Sequence, residues 1–102
     1  MSVYAIALIR IQDRAKYSAY ERRFMEVFAR FEGEVLAVDD APRVLEGDWP
    51  GERTVLLRFP DEAALRRWYD SEAYREIVRD RMVAASADIA IVSGLGARDR
   101  DR

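Results

Sequence analysis

The chain opens on VYAIALIRI (Val3–Ile11), which is apolar on both of its alternating sides. Val3, Ala5, Ala7, Ile9 and Ile11 fall on one face, and Tyr4, Ile6 and Leu8 on the other. A strand with one wet face would alternate apolar with polar residues, so this pattern predicts a central strand covered on both sides. The period then changes. After Asp13, a suitable N-cap, Tyr17, Tyr20, Phe24, Val27, Phe28 and Phe31 recur at helical spacing with charged residues between them. Gly33 suits the left-handed position that closes a helix, which predicts a first helix over Arg14–Phe31.

Glu34–Val38 (EVLAV) reads as a short strand, and Asp39–Pro42 (DDAP) as a turn. The following RVLEG either extends that strand or adds a short ribbon. Asp48–Glu52 is a loop, and Arg53–Phe59, β-branched or bulky and stopped by Pro60, is a third strand. Asp61 can cap a second helix that turns Leu65, Trp68 and Tyr69 inward. Asp70–Ser71 interrupts it, and Ser71 can cap a further segment with Tyr74, Ile77, Val78, Met82 and Ala85 on one stripe. Asp88–Ser93 is the last strand.

The order β-α-β-β-α-β is the ferredoxin-like split βαβ plan: an α+β domain with both helices on one face of a four-stranded antiparallel sheet. Two helices cover one sheet face only, yet Val3–Ile11 is apolar on both faces, and Leu56 stands opposite Val55, Leu57 and Phe59. A homodimer packing sheet on sheet would cover the second face. The expected organisation is one domain over residues 1–95 and a flexible charged tail over 96–102, where GARDRDR has little to bury.

Composition narrows the chemistry. The chain has 102 residues, enough for one domain, and a net charge of -2, so there is no excess of basic residues for a nucleic-acid surface. With no cysteine and no histidine, disulfides, thiolate zinc sites, cysteine nucleophiles and histidine triads are excluded, and the usual haem ligand is missing. No cofactor and no metal are expected; Asp39 and Asp40 are adjacent carboxylates in a turn, which is poor evidence for a cation site. The apolar run at the N-terminus is too short to span a membrane, and the expected compartment is the cytoplasm. Proton transfer would fall to carboxylates, Tyr, Lys or water.

Two stretches offer candidate chemistry. LEGDWPGER puts Glu46, Trp49 and Arg53 around a Pro50–Gly51 turn. In the split βαβ plan this loop shares one end of the sheet with the start of the first helix, so Tyr17, Tyr20, Glu46, Trp49 and Arg53 should lie together. They could form the mouth of a pocket in which Arg53 holds a small carboxylate, Trp49 and Trp68 stack its body, and Tyr17, Tyr74 or Glu46 moves a proton. Alternatively Trp49 packs across a dimer while Arg53 pairs with Glu46, since Trp and Arg are enriched at interfaces without any ligand. The second stretch is Trp68, Tyr69, Ser71 and Tyr74. The helix restart at Ser71 could hold an anion on its free N–H groups, or be no more than a capped kink. Trp68 and Tyr69 are adjacent and must point differently. Arg79 and Arg81 read as a solvated face, although Arg81 could join Arg53.

The runs YAIALIRIQDRAKYSAY and LEGDWPGERTVLLRFPDEAALRRWYDSEAY, with the later IVSG, resemble the family called domain of unknown function 1330, over about residues 3–94. The motifs that carry the resemblance are Glu46-Gly47-x-Trp49-x(3)-Arg53 and Trp68-Tyr69-x-Ser71-x(2)-Tyr74. The family usually shows a second glycine before the second strand, where this chain has Glu32–Gly33–Glu34. The resemblance implies the dimeric α/β-barrel superfamily, in which two ferredoxin-like chains pack sheet to sheet. It implies no established reaction; relatives include cofactor-free monooxygenases, lactone isomerases and haem enzymes.

Overall fold

In a computed structural model, which describes residues 2–95, the elements run β1 (Val3–Ile11), α1 (Arg14–Phe28), β2 (Glu34–Asp39), β3 (Arg53–Phe59), α2 (Glu62–Tyr69), α3 (Glu72–Ala84) and β4 (Ala85–Ser93). The four strands form one antiparallel sheet in the order β2-β3-β1-β4. β1 is central, as its two apolar faces require: Ala5 pairs with Leu57 on one side and Ile91 on the other. The expected tail over 96–102 lies outside the described residues.

All three helices lie on the face presented by Val3, Ala5, Ile9, Leu57 and Phe59, which are buried beneath Tyr17, Tyr20, Phe28, Leu65, Trp68, Tyr74 and Ile77. Phe59 is fully enclosed, stacked with Trp68 at 5.5 Å between ring centroids and edge-on to Phe28. On the other face Tyr4, Ile6, Leu8 and Leu56 are half-buried and Val92 is exposed, and no element of the described residues lies above them.

The helices start where side chains satisfy their first N–H groups. Asp13 accepts from Lys16 N, Asp61 from Ala64 N at 2.8 Å, and Ser71 from Tyr74 N at 3.1 Å. Ser71 Oγ also donates to the Trp68 carbonyl at 2.8 Å, so one side chain closes α2 and opens α3.

Two boundaries, the role of Gly33 and the buried stripe of α3 differ from the sequence expectation. The first helix ends at Phe28, and Arg30 and Phe31 continue it only as tighter turns bonded three residues back. Gly33 does not supply a left-handed closure, since Gly47 alone has positive φ among the described residues. Its role is space: a Cβ on Gly33 would lie 2.4 Å from Phe28 Cζ and 2.5 Å from Phe59 Cε2. β4 begins at Ala85 because its first residues already pair with the end of β1, Ile11 opposite Ala85. On α3 the buried stripe is Tyr74, Ile77, Val78, Arg81 and Ala84; Met82 is 63% exposed. Arg81 is seven residues from Tyr74 and shares its face, so it takes the inward place that hydrophobicity assigns to Met82.

Candidate functional site

The helix layer does not fill the space above the sheet. A cavity of about 200 Å³ remains between the sheet face and α1, α2 and α3. Its floor is Ala5, Ala7 and Ile9 of β1 with Val55 and Leu57 of β3. The two alanines leave room where larger residues would meet the helices. Tyr17, Tyr20 and Phe24 of α1, Trp68 of α2, and Tyr74 and Arg81 of α3 form the roof and walls. Met25, Val38, Glu21 and Arg53 also line it. Met25 and Val38 are both half exposed, and they mark where the cavity approaches solvent between α1 and β2.

Arg53 reaches this cavity by strand alternation: opposite Ile9 at the start of β3, it points to the helix face. Its Nη1 donates to Asp40 Oδ1 at 2.7 Å and its Nη2 to Glu21 Oε2. The guanidinium lies 5.6 Å from the centre of the Tyr17 ring, within cation–π range. Burial works against its charge, but Asp40, Tyr17 and Glu21 outweigh that and hold Arg53 more firmly protonated.

Arg81 is the contrasting cation. It is 5% exposed, and its Nε has no hydrogen-bond partner. Next to it in character is a pair of phenols: the Tyr20 and Tyr74 hydroxyls lie 3.1 Å apart, both buried. Burial, then the Tyr74 neighbour, pushes the Tyr20 phenol well above its ordinary value. Burial also raises Tyr17, against the pull of Arg53. Both tyrosines are therefore neutral O–H groups at physiological pH. Three buried side-chain N–H groups lack partners among the described residues, namely Arg53 Nε, Trp68 Nε1 and Arg81 Nε, and all three belong to residues that line this cavity.

The candidate residues thus separate. Tyr17, Tyr20, Arg53, Trp68, Tyr74 and Arg81 meet at one cavity, but Glu46, Trp49 and Ser71 are not among its lining. Arg53 finds its acceptors in Glu21 and Asp40 instead of Glu46, which is exposed on the loop. Trp49 is 46% exposed and donates from Nε1 to Thr54 Oγ1 at 3.1 Å. Thr54 is out of phase with Arg53 and Val55, so Trp49 belongs to the open side of the sheet. Ser71 is spent on its two backbone bonds. Phe24, expected as core, lines the cavity, and so does Glu21, which sequence reading passed over. Glu21 was legible in principle, because it sits four residues after Tyr17 on the same helix face. Among the described residues no cluster of acidic side chains could hold a metal ion, and no helix is long and apolar enough to cross a membrane.

An antiparallel β-α-β-β-α-β sheet with helices on one face and a cavity between the layers is a ferredoxin-like domain. Within that class, the chain belongs to the family described as Domain of unknown function (DUF1330), which matches residues 2–95. Among solved structures it is similar to a protein of unknown function from Rhodopseudomonas palustris, with a TM-score of 0.75 and 21% identity over 91% of this chain and 82% of that one. SnoaB, a cofactor-independent oxygenase from Streptomyces nogalater, matches with a TM-score of 0.68 and 14% identity over 91% and 92% of the two chains. A dabb family protein with a ferredoxin-like fold from Mesorhizobium loti matches at 0.65 and 14%, over 91% and 96%. At these identities the likeness establishes the fold alone. No curated protein matches the chain.

Proposed function

We propose that this domain binds a small organic carboxylate with an aromatic or unsaturated body in the cavity between sheet and helices, as a homodimer joined through the open sheet face. One observation carries the ligand reading: the buried N–H groups without partners all belong to residues lining that cavity. Buried donors are rarely left unpaired, and a set of them around one space calls for an occupant rich in acceptors. A carboxylate supplies acceptors, and the aromatic walls of Phe24 and Trp68 suit a flat apolar body. In this reading Arg81 receives the carboxylate. Arg53, already holding Glu21 and Asp40, ties α1 to the loop after β2. A reaction at such a site would be a cofactor-free oxygenation, the activity named for SnoaB, or a proton-transfer isomerisation. Tyr17 and Tyr74 are the candidates to handle a proton there; Glu46 stands outside the cavity lining.

A second reading, that the Trp and Arg residues serve an interface without any ligand, has an observation of its own in Trp49. Its half-exposed ring stands on the open side of the sheet, beside the apolar face of Ile6, Leu8 and Leu56. We therefore assign Trp49 to the dimer and the Arg81 cluster to the ligand.

The test uses the second tryptophan. In a Trp49→Phe protein, Trp68 is the sole tryptophan and lines the cavity. Benzoate, cinnamate and sorbate should change its fluorescence saturably, and Arg81→Met should weaken the tightest of them by about 1.5–3 kcal/mol, the worth of a hydrogen bond to a charged group. Absence of any saturable change at millimolar concentrations defeats the ligand reading.

A further inference from the structure

Resting on the ligand reading above, we infer that the cavity selects the ionised form of a single-ring phenol or enol, acting as a donor-rich oxyanion pocket and not as a base. The argument begins with size. An apolar cavity of about 150 Å³ accommodates benzene, and pockets for drug-sized ligands start at about 300 Å³. A space of about 200 Å³ therefore takes one ring with one or two small substituents, and excludes fused polycyclic ligands unless the walls move.

The polar groups facing that space then fix the charge. Arg81 brings N–H donors and no acceptor. Trp68 Nε1 is a donor only, and it is unpartnered. In the Tyr20–Tyr74 pair, whichever hydroxyl donates to the other, one O–H remains free to give. Glu21 is the one carboxylate among the lining residues described, and Arg53 engages it. Its side chain is 36% exposed at the α1 edge, so its charge is screened by water far more than that of Arg81. The lining residues consequently supply a cation and several hydrogen-bond donors, while their one carboxylate is already engaged by Arg53. Preorganised donors in a water-poor space favour whichever form of a ligand carries negative oxygen. A phenolate or enolate oxygen meets the Arg81 cation and the donors with acceptors alone; a neutral phenol could give its proton only to a tyrosine oxygen and would forgo the charge-assisted bond to Arg81.

The reporter is 4-nitrophenol, a single ring whose phenolate is coloured. It is titrated across its ionisation with and without excess protein. The bound ligand should ionise more readily than the free one by about tenfold or more, a downward shift of at least about one pH unit, as one charge-assisted hydrogen bond would give. Removing both hydroxyls in a Tyr20→Phe, Tyr74→Phe double variant should shrink that shift, Arg81→Lys should retain part of it, and Arg81→Met should abolish it. Should Arg81→Met fail to fold, the wild-type shift and its reduction in the double tyrosine variant still decide the matter. Tighter binding of the neutral phenol, or an unshifted titration from a protein that binds benzoate, overturns this inference and leaves the carboxylate reading standing. Failure of both 4-nitrophenol and benzoate to bind removes the two together.

Discussion

The two faces of this sheet come from the same strands, yet they treat polar groups in opposite ways. On the open face, where water could satisfy any donor, the donors are paired. Arg10 bonds Ser86 Oγ, Asp88 and the Pro50 carbonyl, Arg58 bonds Glu34, and Trp49 bonds Thr54. On the helix face, where water is scarce, three N–H groups are left alone around one cavity. Unmet polarity thus collects where it is most costly, since an unsatisfied buried group costs about 1–3 kcal/mol. On the proposed function, the helix face trades stability for a site and the open face is left to be covered by a second subunit.

The sharpest way to break this comparison is to cut each face at its middle. Phe59, fully enclosed by Trp68 and Phe28, should cost about 3–5 kcal/mol when truncated in Phe59→Ala, read from urea unfolding at fixed protein concentration. Leu56, its neighbour but three on the open face, should behave differently. Leu56→Asp places a charge at the proposed subunit contact and should halve the mass seen by light scattering while leaving the helical signal intact. A wild-type chain that scatters as a monomer at micromolar concentration would end the proposal of a dimer.

Next in size is an effect of opposite sign. Arg81→Met keeps an unbranched apolar stem but removes a buried guanidinium whose Nε has no partner. It should raise the stability of the ligand-free protein by about 1–2 kcal/mol, because the desolvation cost of that group disappears. The same variant should lose the carboxylate. A destabilised Arg81→Met would mean that the guanidinium satisfies a structural need, and the contrast between the faces would fade.

Alkaline pH gives a smaller and more gradual handle. Burial raises the Tyr17 and Tyr20 phenols above the unfolded value of about 10. Below that pH both states hold the protons and stability is unaffected. Above it the unfolded chain releases them while the folded chain keeps them, so stability falls as pH rises, by up to about 1.4 kcal/mol per pH unit for each tyrosine. Tyr20→Phe should make that fall shallower in unfolding curves collected between pH 10 and 11. An unchanged slope would place the phenol in contact with water.

What could be read from the residues follows the range of the interactions involved. β1 and β3 have the bounds their pattern predicts, Val3–Ile11 and Arg53–Phe59, because two-faced apolarity and Pro60 are local signals. The break at Asp70–Ser71 was equally legible through a capping serine. Gly33 was misread because a glycine needed for lack of space looks the same in sequence as one needed for positive φ; only the nearby Phe28 and Phe59 rings distinguish them. Arg81 reads in sequence either as solvated or as a companion of Arg53, because charge argues for solvent; its helical phase with Tyr74 and Ile77 decides for burial. The partners of Arg53 carry no local sign at all. Glu21 is 32 residues away and Asp40 13, whereas the nearer Glu46 is exposed and unattached to it.

Within the loop that joins Glu46, Trp49 and Arg53, four residues separate the open sheet face from the cavity. Trp49 lies just before β3 and bonds Thr54, while Arg53 is one step out of phase with Thr54 and enters the cavity. Strand alternation sends Arg53 and Thr54 to opposite faces, and Trp49, bonded to Thr54, stays with the open one. The smallest predicted effect tests that division. Within an isolated chain Trp49→Phe removes one exposed hydrogen bond and should change unfolding free energy by less than about 0.5 kcal/mol, as for surface positions without buried contacts. Benzoate affinity should not change, because the ring is absent from the cavity wall. If the open face is the dimer contact, the same substitution should weaken association, and the effect should grow on dilution. A change in ligand affinity without a change in association would return Trp49 to the site and dissolve the division drawn here between the two faces.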